Sequence, residues 1–305
     1  MRPRDVALAL LMVVLWGVNF VVIKAGLRGV SPFVLGGLRF VLTAFPAILF
    51  LPRPRVPLRL SLAFAGATFL GQFSLLFWAI KVGMPSGLAS LVLQSQVFFT
   101  VLLAGAVLRE RPGRVQLAGM ALAGAGLAWM GAELGTEVPL AGFLLTLCAA
   151  LAWAIGTLAS RSLARHGPVN GLHFVVWAGL IPPVPFFALA WAVEGPGAIA
   201  SSLRAMDLGS WAAAAYLAFG ATLGGYGLWN RLLRSYPAAQ VARFTLLVPV
   251  VGILSGALAF GERLTAVQLL ATGMVMAGLA MPLAAAWLNR RSSRAPAAEG
   301  DTARR

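Results

Sequence analysis

The chain has 305 residues, of which 60% are apolar and only 11% charged, and a formal net charge of +15. That balance excludes an ordinary soluble globular domain and describes an integral membrane protein. The positive charge, which in a soluble chain would suggest nucleic acid, is first a topology signal here, because arginine collects beside membrane spans.

A bilayer core of roughly 30 Å needs roughly 20 apolar helical residues. Ten stretches meet that need: 6–27, 32–51, 60–80, 87–108, 114–132, 140–160, 169–191, 209–230, 238–260 and 265–287. Short separators rich in breakers divide them, as in SPF, PRPRVP, GMPSG, RERPGR, RHGPVNG and SYPAAQ. Alternating segments of about ten residues, the mark of a barrel, are absent. The first stretch follows Arg2 and Arg4 but is longer than an ordinary signal-peptide core and has no small-residue cleavage site, so a retained helix is expected. After Trp287 apolar periodicity is lost, and 289–305 is expected to be a disordered tail. The single cysteine, Cys148, permits no internal disulfide.

With a cytoplasmic N-terminus, seventeen basic residues fall on the cytoplasmic side, among them Arg53, Arg55, Arg59, Arg109, Arg111, Arg114, Arg161 and Arg165. Four fall opposite: Arg28, Lys81, Arg204 and Arg263. This bias, with an even helix count, predicts both termini in the cytoplasm. No nucleic-acid partner is then needed to explain the charge.

The two halves repeat. With one constant offset, Pro85 falls on Pro237, Glu110 on Glu262, Arg111 on Arg263, Gln116 on Gln268 and Gly126 on Gly278. Earlier helices echo too: Trp16 with Trp153, Lys24 with Arg161, and GLRFV at 37–41 with GLHFV at 171–175. Five helices precede the duplication point, so the halves, 1–137 and 138–288, lie in opposite orientations. The expected fold class is an all-α integral membrane protein of ten transmembrane helices in two inverted five-helix repeats, a transporter architecture with substrate near the midplane.

Several segments carry a family resemblance: LWGVNFVVIKAGL, GLRFVLTAFPAILF, GMPSGLASLVLQSQVFFTVLLA, LLVPVVG and GERLTAVQLLATGMVMAGL. Over residues 5–288 the chain resembles the EamA family of the drug/metabolite transporter superfamily. These segments look closest to its branch that exports O-acetylserine and cysteine across bacterial inner membranes. The resemblance implies a multi-pass exporter of small amino-acid metabolites; the alternatives are other amino acids or drugs, or a membrane-embedded sensor or enzyme.

Arg39 lies about eight residues into the second stretch, ~12 Å deep at the helical rise. An intramembrane arginine faces a bundle interior or a wet cavity. It either meets a substrate carboxylate as a bidentate partner or serves structurally, snorkelling toward the surface. His173 is its repeat equivalent. Asn19, Gln72, Gln94, Gln96, Tyr226 and Asn230 put polar groups within spans, where they either read an amino acid or join helices by hydrogen bonds. Trp16, Trp78, Trp153, Trp177 and Trp229 are candidate cavity walls, and Arg243 is a further candidate counter-charge. The candidate substrate-binding set is Arg39, Asn19, Gln72, Gln94, His173, Trp153, Tyr226 and Asn230.

No acidic residue lies mid-span, so a carboxylate proton relay has no carrier. The only histidines are His166 and His173, and neither HExxH, CxxC nor GxxxxGKS/T occurs. Catalytic and metal sites, and cofactors, are therefore expected to be none. The expected partners are a small-molecule substrate and the lipid bilayer. Oligomeric state and energy coupling are not legible in the residues.

Overall fold

The computed structural model describes residues 1–133, 138–164 and 169–292, and the described residues form helices and turns without a strand. Nine helices among them are long and apolar enough to cross a membrane: Pro3–Gly26, Pro32–Leu49, Leu58–Lys81, Ser86–Leu108, Arg114–Ala132, Leu140–Leu163, Gly171–Glu194, Gln240–Phe260 and Ala266–Ala286. They correspond to nine of the ten expected stretches. The remaining one is helical throughout 208–235, but its tyrosines and glycines dilute its apolar character and it is not among the nine. The chain is an all-helical, multi-pass membrane protein.

Local chemistry sets the helix ends. Pro3 and Pro32 open the first two helices, where a missing N–H costs nothing. The Ser31 hydroxyl accepts from the Phe33 and Val34 amides at 3.1 and 3.2 Å, and Asn170 and Asp207 cap later helices in the same way. The second helix stops at Ala44, just before Pro46, and continues only as a single 3-10 turn. Proline cannot donate to the preceding turn and restricts its neighbour to extended geometry. The last helix runs through Ser292, so residues 289–292 extend it rather than opening a tail. The rest of the expected tail, 293–305, lies outside the described residues, as do Arg165 and His166.

Two turns have the same construction. The helix ending at Leu108 closes on Arg109 in the left-handed region at φ 57°, and the helix ending at Phe260 closes on Gly261 at φ 64°. After each, a glutamate amide reaches back six residues: Glu110 to Ala104 at 3.3 Å and Glu262 to Gly256 at 3.4 Å. Both stops thus combine a left-handed residue with a wide backbone return that satisfies an orphan carbonyl of the last turns.

Two segments are wound as π-helix, Ala65–Gly71 and Tyr216–Gly224. Both contain the tripeptide Gly-Ala-Thr, at 66–68 and 220–222. Such segments re-aim side chains because each wide turn adds a residue to the register, and they recur at functional sites.

Phenylalanines fill the interior. Phe40 lies 4.7 Å from Phe69, 5.8 Å from Phe73 and 6.0 Å from Phe186 between ring centroids. Glycine allows the closest helix approach. A Cβ on Gly278 would come within 2.9 Å of the Ala123 amide nitrogen, and one on Gly126 within 2.9 Å of the Ala271 carbonyl. Helices 114–132 and 266–292 therefore touch backbone to backbone, the small-residue packing of lipid-embedded helices.

Candidate functional site

Arg39 projects from the third turn of its helix into the interior and is 2% exposed. Its Nε donates to Thr222 Oγ1 at 3.0 Å and its Nη1 to Asn19 Oδ1 at 3.3 Å. The guanidinium carbon stands 3.9 Å from the Phe73 ring centroid, a cation–π contact worth up to about 2 kcal/mol when desolvated. Thr222 is itself held, its hydroxyl donating to the Leu217 carbonyl at 2.8 Å. That carbonyl lies five residues back, within reach because the segment is π-wound.

Among the described residues no carboxylate pairs with Arg39, and the ion pairs are Lys24 with Glu262 and Arg161 with Glu110. An uncompensated interior charge carries a desolvation cost of several kcal/mol. Two neutral acceptors and the faces of Phe73 and, at 5.7 Å, Phe40 offset only part of it, leaving a guanidinium with spare donors.

Those donors border a cavity of about 530 Å3. Six of the eight candidate residues line it: Asn19, Arg39, Gln72, Gln94, Trp153 and Tyr226. The other two do not. His173 lies in the first turn of its helix, its amide on the Asn170 side chain at 3.5 Å. Asn230 packs its amide group against Gly171. The repeat equivalence of Arg39 and His173 therefore does not bring both into the cavity, because they occupy different turns of their helices.

The aromatic candidates divide as well. Trp16, Trp153 and Trp229 line the cavity. Trp16 is anchored by its Nε1 donating to the Ala221 carbonyl at 3.0 Å, and its ring lies 5.6 Å from Tyr226 and 5.9 Å from Trp229. Trp78 instead stacks on Phe33, and the Trp177 indole donates to the Leu51 carbonyl. Arg243 is exposed and outside the cavity.

Sequence reasoning passed over Thr222, which positions Arg39, and Thr68, Thr157 and Ser160, which line the cavity. The repeated Gly-Ala-Thr was the available signal for the first two. The cavity thus has a cationic, hydrogen-bonding pole at Arg39, amides from Gln72, Gln94 and Gln96, and an indole and phenol wall. This chemistry suits a small organic anion or zwitterion with an apolar part. Among the described residues, no group of three or more His, Cys, Asp or Glu gathers as a metal site.

A second polar cluster lies outside the cavity. Lys24 Nζ donates to Glu262 Oε1 at 2.6 Å. The same carboxylate accepts from the Ser86 amide and hydroxyl, both at 2.9 Å, and from the Gly87 amide at 2.9 Å. Burial pushes the Glu262 carboxyl up, but the hydrogen bonds from Lys24, Gly87 and Ser86 outweigh it and hold the group below its ordinary value.

Fold and cavity together define a solute carrier. The chain belongs to the EamA-like transporter family, which it matches over residues 4–132 and 140–283. It is 49% identical over 282 residues to a Salmonella typhimurium protein named a probable amino-acid metabolite efflux pump, covering 92% of this chain and 94% of that one. It is 46% identical to an Escherichia coli K12 protein of the same name, with the same coverage. A solved crystal structure is similar in fold at TM-score 0.63 and 21% identity, covering 95% of this chain and all of that one.

Proposed function

We propose that the protein exports small amino-acid metabolites, cysteine and O-acetylserine first among them, across the bacterial inner membrane. The observation that carries this reading is Arg39, a buried guanidinium with no carboxylate partner among the described residues, at the edge of the cavity. A substrate α-carboxylate supplies the missing charge and takes the spare N–H donors as a bidentate pair. Asn19 and Thr222 hold the guanidinium in place, while Gln72 and Gln94 face the polar remainder and Trp153 and Tyr226 the apolar part. The names of the Salmonella and Escherichia relatives point to the same cargo class.

Transport runs by alternating access between two inverted five-helix repeats, 1–137 and 138–288, with 208–235 as the tenth span and both termini cytoplasmic. The recurring left-handed helix stops at Arg109 and Gly261 and the two Gly-Ala-Thr π-segments support the repeat. Helical spans rather than barrel strands support the inner membrane.

The test is uptake of labelled cysteine and O-acetylserine into everted vesicles bearing the protein, with and without a proton gradient, against vesicles lacking it. Uptake above the control is expected; none, with folded protein present, retires the cargo. A second reading, export of larger apolar amino acids, draws on the wall of Trp16, Trp153 and Trp229, and the same vesicles test it with labelled phenylalanine and tryptophan.

A further inference from the structure

Two ion pairs join elements distant in sequence, and both are built from repeat-equivalent residues. Lys24 corresponds to Arg161 and Glu262 to Glu110. In each, the glutamate directly follows a left-handed residue with the same six-residue backbone return. The two are nevertheless made unequally. Lys24 and Glu262 meet at 2.6 Å, and the carboxylate takes three further bonds from Ser86 and Gly87. Arg161 and Glu110 meet once, at 3.4 Å, with side chains 46% and 56% exposed.

The cavity shares this asymmetry. Its lining includes Ser160, next to Arg161, and Gln116, close after Glu110, but neither Lys24, Ser86 nor Glu262. Glu262 is also wedged in place: a Cβ on Gly256 would meet its carboxylate, and one on Gly87 would come within 3.4 Å of Oε2. Glycine at 256 is what leaves room for the carboxylate there.

We propose that the two pairs are reciprocal latches, one for each mouth of the cavity, and that the structure has the Lys24–Glu262 latch shut and the Arg161–Glu110 latch open. The proposal rests on the alternating-access reading above. In the opposite state Lys24 and Glu262 part, and Glu110 closes with Arg161 onto the first backbone amides of the Ala238–Thr245 helix, which follows Pro237 as the Ser86–Val92 helix follows Pro85. A salt bridge capped by three hydrogen bonds biases the equilibrium only because one state makes it and the other does not. The exposed pair is worth little by itself, as exposed pairs are, so its contribution arises on closure, when water is expelled around it.

The test reads cavity access without any cargo. The exposed Cys148 is replaced by serine, and Thr157→Cys, on the cavity wall, serves as the reporter. A membrane-impermeant maleimide is applied to right-side-out and, separately, to everted vesicles. With both latches intact, labelling is expected from one face only, that of Arg161 and Glu110. Glu262→Gln is expected to raise labelling from the opposite face about tenfold, within the usual range of conformational coupling. Lys24→Met removes the ion pair while leaving the amide bonds to Glu262, and is expected to act in the same direction should Glu262→Gln not accumulate. Labelling from both faces before mutation, or a one-sided pattern unchanged in the folded variants, overturns the proposal and leaves the cluster a helix-end brace. Vesicles that fail to take up cysteine or O-acetylserine yet show the shift retire the cargo and keep the latch; normal uptake with no shift does the reverse.

Discussion

Arg39 Nε donates to Thr222 Oγ1 across 183 residues of sequence, at 3.0 Å and fully inside the protein. Thr222 has its hydroxyl proton on the Leu217 carbonyl, so it faces the guanidinium as an acceptor only. The π-segment thus orients one lone pair, and that lone pair orients the charge bordering the cavity.

Arg39→Gln is expected to abolish flux, and Arg39→Lys to lower it at least tenfold, because an ammonium cannot reproduce the planar fork. Arg39→Gln leaves the protein folded. Removing the buried charge relieves several kcal/mol of desolvation, which offsets about 1–3 kcal/mol for an orphaned Asn19. Flux beside a thermal-unfolding midpoint measured in detergent separates the two effects. Normal transport by Arg39→Gln would remove the carboxylate role.

Cargo recognition through a cation predicts a charge rule. Cysteine should compete for uptake at least tenfold better than cysteine amide, whose carboxylate is gone, and lysine should compete poorly because, among the described residues, Arg39 is the only ionisable side chain other than tyrosine on the cavity wall. Equal competition by acid and amide would place recognition elsewhere.

The Glu262 carboxyl is held below its ordinary value by its partners, which fixes the sign of its pH dependence. A depressed folded value contributes stability that is present above the unfolded carboxylate value, about 4.3, and is lost as pH falls toward the folded one. The unfolding midpoint should therefore fall below about pH 4, and the fall should be shallower in Glu262→Gln. Parallel curves for the two proteins would mean that the cluster contributes nothing to this dependence.

Arg109 is the single non-glycine residue with positive φ among the described residues. Arg109→Gly should raise stability by about 1 kcal/mol, since the left-handed conformation strains any residue with a Cβ. Gly261→Ala, at the equivalent turn, should lower it by a similar amount. The paired midpoints check both, and a destabilised Arg109→Gly would show that the arginine side chain outweighs the backbone strain.

Gly278→Leu should be the most disruptive of these changes. Even a methyl there meets the Ala123 amide, and a larger side chain must drive helices 114–132 and 266–292 apart at a cost of about 1–3 kcal/mol or more. The yield of monodisperse protein after size exclusion reads this directly.

The membrane class and nine spans were legible in the residues because burying a backbone in hydrocarbon demands long apolar helices. Arg39, Asn19, Gln72 and Gln94 were legible as candidates because polar groups are expensive there. Their convergence was not legible. These helices are apolar on nearly every face, so periodicity does not say which face meets the cavity. Within Leu58–Lys81 and 208–235 the π-turns also displace the register, which is why Thr68 and Thr222 escaped notice and why Asn230 falls outside the cavity; His173 falls outside it because it sits in the first turn of its helix, whereas Arg39 sits in the third turn of its own.

By itself, then, the sequence determined that this is a helical membrane protein, where its spans lie, and which polar residues needed an explanation, because each follows from local composition and the cost of leaving water. Only the tertiary structure decided that Thr222 and Asn19 hold Arg39, that six candidates share one cavity, and that the Glu262 cluster is tightly made while its Glu110 counterpart has a single long, exposed contact. Those outcomes depend on contacts between different helices, from 20 to 238 positions apart, and on helix rotations set by glycine contacts and π-turns rather than by any local pattern.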